Sequence, residues 1–165
     1  KDAVITYFEP SGGFVYDGKP KTPQSMVTCN GVLLSEGTDY TVSYQNNINA
    51  GNATLTISGV TNCEGTASAD FNIAKAAQNF TVKASVTSID AGKTTKVAAT
   101  GAKENPKFTF TSSNAKVATV DAAGTVTGKA AGTVTITVRS AETANYKAAS
   151  KTIKITVNKV LKKPD

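Results

Sequence analysis

The sequence predicts an all-β chain built as two tandem antiparallel β-sandwiches, and three observations carry that prediction. Thr and Val are in excess, Trp and His are absent, and charged residues make up only 18% of the 165 residues. β-Branched side chains lose rotamer freedom on a helix and suit a pleated surface, so this composition favours strands. Apolar and polar residues also alternate with period two along several segments, which gives a strand one dry face and one wet face. Finally, one stretch is echoed roughly 80 residues later, a period that means two copies of a domain rather than a short-unit solenoid.

The elements follow in order. Turn signals at Pro10 to Gly13, Asp17-Gly18, Asn30-Gly31, Glu36-Gly37 and Asn46 to Gly51 divide the first half into short strands. Ala91-Gly92, Asn105-Pro106 and Asp121 to Gly124 do the same in the second, with Gly supplying positive φ and Asn or Asp bonding its own backbone. The segment Ala50-Gly51-Asn52-Ala53-Thr54-Leu55-Thr56-Ile57 reads like Ala131-Gly132-Thr133-Val134-Thr135-Ile136-Thr137-Val138. Asn62-Cys63-Glu64-Gly65 parallels Asn145-Tyr146-Lys147-Ala148, and Phe71-Asn72-Ile73 parallels the strand from Ile153 to Val157. Each half thus closes on a Gly-led alternating strand, a reversal near Asn and a final alternating strand. Val134, Ile136 and Val138 face one way, as do Ile153, Ile155 and Val157, with Thr and Lys on the opposite side. Two such half-dry sheets bury their apolar faces only against each other. The Ala-rich stretch from Ile73 to Gln78 is too short for a stable helix and reads as the connection between domains. The expected boundaries are residues 1–75, residues 76–160 and a short onward linker at 161–165. Phe8, Phe14, Tyr16, Tyr40, Tyr44 and Phe71 are expected to anchor the first core, and Phe80, Phe108, Phe110 and Tyr146 the second.

Charge splits unevenly. Residues 1–75 hold four lysines and seven acids, a net −3, while residues 76–165 hold fourteen basic residues and five acids, a net +9, which together give the overall +6. The lysines stand singly between Thr and Val, as in Lys151-Thr152-Ile153-Lys154-Ile155. That is the pattern of solvated strand faces protected against edge-to-edge pairing, and it lacks the Arg and aromatics usual on a nucleic-acid face. No nucleic-acid partner is therefore expected. No apolar run approaches the ~18 residues needed to cross a bilayer, so no membrane insertion is expected. The absence of His excludes a metal site built on His and any triad that uses His as its base. The two cysteines, Cys29 and Cys63, fall in the same half. In an exported small β domain they form one disulfide; otherwise they are two free thiols.

Two family resemblances sharpen the fold. Thr111-Ser112-Ser113-Asn114-Ala115-Lys116-Val117-Ala118-Thr119-Val120-Asp121, then Gly124-Thr125-Val126-Thr127-Gly128-Lys129, then the strand from Ala131 to Val138, closely resemble the bacterial immunoglobulin-like group 2 family over about residues 80–158. Where that family often carries Trp before the serine pair, Phe108 and Phe110 stand instead. Residues 14–73 resemble a different repeat, a spacer of Gram-positive surface proteins, through Val15-Tyr16-Asp17-Gly18-Lys19-Pro20, the run from Leu34 to Tyr44, and Asn46-Asn47-Ile48-Asn49-Ala50-Gly51. Such repeats usually have an aromatic after Asn62, and Cys63 in its place supports a local disulfide. The resemblances imply two tandem immunoglobulin-like sandwiches of the kind found in the stalks of intimin- and invasin-like adhesins and in many secreted enzymes. Neither family supplies catalytic residues.

The residues that bear chemistry are few. Glu36 and Asp39 are paired carboxylates, but three residues apart on a turn they suit solvation and backbone bonding better than glycosidic acid–base work. Asn46, Asn47 and Asn49 offer oxygens without the acidic spacing of a Ca²⁺ loop, so they read as a hairpin tip, with Tyr44 beside them as a ligand-contact candidate. Asn52-Ala53-Thr54 and Asn79-Phe80-Thr81 match the N-glycosylation pattern, which arises often by chance. A Lys–Asn amide cross-link finds no Lys in a clearly apolar register. No catalytic residue, cofactor or metal is expected. The reading is a non-catalytic spacer or adhesion module of an exported, Gram-positive wall-associated bacterial protein. Its partners would be neighbouring domains of the same polypeptide and a host protein or glycan at the hairpins Asn46–Gly51 and Ala102–Pro106. A monomer is expected, cut from a longer polypeptide, since Lys1 is not a start Met and the run from Val160 to Asp165 reads as an onward linker. The rival reading is a carbohydrate-binding accessory module of a glycoside-active enzyme, with Tyr7, Tyr16 and Tyr44 as its only candidate exposed rings.

Overall fold

The computed structural model describes residues 3–60 and 64–160. Cys63 and the 161–165 linker lie outside the described residues. The chain divides into two compact units, Lys1–Ala76 and Ala77–Asp165. All regular structure among the described residues is strand, and no helix there is long and apolar enough to cross a membrane.

In the first unit, β1 (Ala3–Tyr7), β3 (Ser25–Cys29) and β4 (Val32–Leu33) form one sheet in that order. The second sheet contains β2 (Phe14–Val15), β5 (Tyr40–Gln45), β6 (Gly51–Gly59) and β7 (Thr66–Ala74), in the order β2-β7-β6-β5. Only β2 and β7 pair in parallel; the other ladders are antiparallel. The sheets close on Val27 from one side and Tyr40, Leu55, Ile57, Phe71 and Ile73 from the other. Period two explains the choice: along β6, Ala53, Leu55 and Ile57 are buried while the residues between them stay partly in water.

Parity also corrects one expected anchor. Ile5 and Tyr7 pack against the core, whereas Val4 and Thr6 point outward. Phe8 shares the outward parity, follows the last β1 residue, and is 57% exposed. Its size suggested burial; its register puts it in solvent. The remaining expected rings of this half do pack on the core, Tyr40 and Phe71 fully and Phe14, Tyr16 and Tyr44 in part. Phe14 and Phe71 tilt against each other at 5.3 Å.

The second unit repeats the pairing scheme. β8 (Thr81–Ala84), β10 (Thr94–Thr100), β12 (Ala118–Val120) and β13 (Thr125–Gly128) make one sheet, ordered β12-β13-β10-β8. β9 (Ser88–Asp90), β11 (Phe108–Ser112), β14 (Gly132–Ser140) and β15 (Ala149–Asn158) make the other, ordered β11-β14-β15-β9. Here too the early strand β9 joins the last strand in parallel. The crossing from β8 to β9 is held by Thr95, whose buried hydroxyl donates to the Val86 carbonyl at 2.8 Å and accepts from the Val86 amide at 3.1 Å. Val134, Ile136 and Val138 are buried to within 1% of complete, and Ile155 and Val157 meet them from β15. Phe80 is buried and packs edge-on against Phe108 at 5.3 Å. Tyr146, expected in this core, is only half-buried and lies outside the cluster, because it falls in the β14–β15 connection rather than on a strand.

The turn from Asp121 to Gly124 shows how local chemistry enforces this unit. The Asp121 carboxylate accepts from the Ala123 amide at 2.9 Å and the Thr125 amide at 2.8 Å, and the Lys96 ammonium donates to the Ala123 carbonyl. The Thr125 hydrogen bond is the main reason that the Asp121 carboxyl sits below the usual carboxylate range. A carboxyl whose pKa is lower folded than unfolded contributes stability above its unfolded pKa, and loses it as pH falls through the folded value. Asp17 behaves alike in the first unit, lowered first by its hydrogen bond with Lys21. The expected result is an unfolding midpoint of the second unit that falls between about pH 5 and pH 2, and falls less steeply in Asp121→Asn. Equal slopes in the two proteins, measured by circular dichroism, would count against the assignment.

Candidate functional site

Among the described residues, one cleft gathers polar side chains around an exposed ring. It belongs to the first unit, encloses about 460 Å³ and is lined by Phe8, Thr22, Pro23, Gln24, Ser25, Glu36 and Tyr44. Its walls come from both sheets. Ser25 opens β3 opposite Tyr7, and Tyr44 lies on β5 opposite Leu55, so the cleft is where the sandwich opens at one end.

The chain before β3 is strapped across that mouth. The Tyr44 hydroxyl donates to the Pro23 carbonyl at 3.0 Å. The Asn47 side-chain amide donates to the Lys21 carbonyl at 2.9 Å, while the Lys21 amide donates to the Asn47 carbonyl at 2.7 Å. Lys21 pairs with Asp17 at 2.6 Å, and the Phe8 amide donates to the Gln24 carbonyl at 2.9 Å. These bonds fix the run from Thr22 to Gln24 in place, with Phe8 beside it. Burial, and secondarily the charge of Glu36, push the Tyr44 phenol above its ordinary range. Ser25 Oγ is buried with no hydrogen-bond partner.

The residues singled out in the sequence separate here. Tyr44 lines the cleft and Glu36 faces it, while Asp39 turns away and accepts from the Ser35 amide at 2.9 Å. Asn46 takes φ +55° in the β5–β6 hairpin, Asn47 spends its amide on Lys21, and Asn49 is an exposed residue of the same tip. No group of three or more His, Cys, Asp or Glu able to hold a metal occurs among the described residues. Tyr7 is half-buried, 6.2 Å from Phe71, and its hydroxyl donates to the Asp70 carbonyl. Tyr16 packs on the core. The exposed ring at the cleft is Phe8, not a core anchor. In the second unit the expected loop Ala102–Pro106 is tied down: Gln78 exchanges two 2.9 Å bonds with the Lys103 backbone, and Glu104 accepts from the Asn145 amide at 3.1 Å and side chain at 2.7 Å. Lys151 and Asn79 meet at 3.2 Å beside Phe80, on the surface. Cys29 is buried at the end of β3.

The serine-serine-asparagine run leaves β11 at Ser112, whose hydroxyl donates to the Ala118 carbonyl of β12 at 2.7 Å, and β14 opens on Gly132. Residues 76–153 match the bacterial Ig-like domain (group 2) family. That match covers most of the second unit. No curated protein matches the chain. Among solved structures, the S-layer protein rSbsC(31-844) is 23% identical over 99% of this chain, with a TM-score of 0.36, and this chain spans 28% of its length. SbsC domains 4 and 5 are 22% identical, over 98% of each chain, with a TM-score of 0.35. A C-terminal 282-residue fragment of intimin, solved in complex with the intimin-binding domain of its translocated receptor, is 21% identical over 94% of this chain and 51% of that one, with a TM-score of 0.42. In the Ig-like unit, Gly124, Gly128 and Gly132 occupy the tightest positions of the matched motif: an added Cβ would lie 2.3 Å from the Val97 carbonyl, 2.9 Å from Val157 and 3.1 Å from Val117 respectively.

Proposed function

We propose that the chain is a non-catalytic spacer of an exported bacterial surface protein, made of two tandem immunoglobulin-like sandwiches that hold a distal domain away from the cell. The observation that carries this reading is that each unit closes its own apolar core from two facing sheets. Interior positions are therefore committed to packing. The family match of residues 76–153 supports it. On this reading the first unit is a spacer repeat of residues 1–75, the second spans residues 76–160, and residues 161–165 lead onward. The partners are the flanking domains of the same polypeptide, the chain is monomeric, and its place is outside the cell at a Gram-positive wall. Cys29 and Cys63 form a disulfide that staples the first unit.

Single-molecule pulling between the two ends tests this. Two separate unfolding steps are expected, each releasing about 3.6 Å per freed residue. Reducing buffer lengthens one step by the loop between Cys29 and Cys63, and removes roughly 3–4 kcal/mol from that unit alone. Extension without a resisted step would overturn the spacer reading; steps of unchanged length in reductant would overturn the disulfide.

A further inference from the structure

Beyond the spacer role, we propose that the open mouth of the first unit is a saccharide-binding cleft. Its volume of about 460 Å³ falls within the ~300–1,000 Å³ of small-molecule sites. Its lining sets one accessible aromatic ring, Phe8, against four neutral hydrogen-bonding side chains, Thr22, Gln24, Ser25 and Tyr44, and one carboxylate, Glu36. That mixture fits a ligand with an apolar C–H face and hydroxyls that both donate and accept. The sugar face would lie on Phe8, which is held out of the core by its register. Glu36 accepts from hydroxyls, and the Gln24 amide and Thr22 hydroxyl both donate and accept. Tyr44 already donates to Pro23, so it offers the ligand its oxygen as an acceptor. Ser25 Oγ, buried and unpartnered, is the group whose hydrogen bond a ligand hydroxyl would complete; a buried polar group without a partner calls for such an explanation. A single carboxylate with no second charged group in the cleft disfavours an anion. A lysine-bearing peptide, attracted to Glu36 and Phe8, is the competing occupant.

The test titrates the intact, ¹⁵N-labelled chain with tetrasaccharides of β-linked glucose, N-acetylglucosamine, galactose and mannose, and separately with a short lysine-containing peptide. At least one sugar is expected to shift the amides of Phe8, Gln24, Ser25 and Glu36 saturably at millimolar concentration. Phe8→Ala should weaken that binding at least tenfold, and Ser25→Ala several-fold, with the remaining amides unmoved. Both variants keep the fold, since Phe8 is exposed and Ser25 loses only an unsatisfied hydroxyl, and unchanged unfolding midpoints check this. Four silent sugars, sugar shifts that survive Phe8→Ala, or shifts with the peptide alone would each overturn the proposal.

Discussion

Gly124→Ala is expected to destabilise the second unit by about 2–5 kcal/mol, since no other described glycine meets both a left-handed φ and so close a backbone contact. Two costs combine. Gly124 holds φ +85°, and an L side chain in the left-handed region costs roughly 1–2 kcal/mol. The new Cβ would also stand 2.3 Å from the Val97 carbonyl oxygen and 3.0 Å from two Phe110 ring atoms. Overpacking of this kind costs about 1–3 kcal/mol, and relief is poor because one obstacle is backbone: the Val97 amide is itself bonded to the Gly124 carbonyl at 2.8 Å. Gly101 separates the two costs. It holds φ +82° with nothing within 4 Å of an added Cβ, so Gly101→Ala should show the conformational cost alone. Urea unfolding followed by circular dichroism measures both variants. Equal losses at the two positions would show that the contacts at Gly124 contribute nothing.

Leu55→Ala should cost the first unit about 2–5 kcal/mol, the range for deleting a fully buried leucine side chain. Leu55 is 0% exposed and lies mid-strand on β6, between Tyr44 of β5 and Ala69 of β7. Both neighbours are fixed by ladder bonds, so the cavity has little freedom to collapse. A unit of this size has a modest core, and a loss on this scale is a large share of its stability. Thr56, one residue on, faces outward and bonds Ser68 at 3.1 Å on an exposed face. Thr56→Ala is expected to cost under about 1 kcal/mol. Comparable losses at the two positions, from denaturant midpoints, would contradict the inward assignment of Leu55.

Strand identity and facing were legible because a two-residue period leaves no choice of side once one face is buried. The Thr-Val-Thr-Ile-Thr-Val run announces β14, and its echo from Gly51 announces β6; both strands are nine residues long and begin at a glycine. Phe8 was misplaced because size was read without register, although its parity with Val4 and Thr6 was already in the sequence. Tyr146 was misplaced because a residue in a connection obeys no period. The cleft was legible only in part. Tyr44 stood out as an aromatic beside a turn, but Phe8, Gln24, Ser25 and Glu36 come together only through the β1–β3 pairing and the Tyr44–Pro23 bond. No spacing in one dimension encodes that meeting. Asn47 was read as a tip residue, and its work of strapping Lys21 depends on a contact 26 positions away.

On the proposed reading the chain is two sandwiches, each stabilised by its own core. Native-state hydrogen exchange in rising urea tests it most directly on the intact protein, with Leu55→Ala and Gly124→Ala beside the parent chain. Amides of β6 and β7 are expected to open with one free energy and those of β14 and β15 with another, each substitution lowering only its own unit's value. A single opening free energy shared by all four strands, and lowered by either substitution, would contradict it.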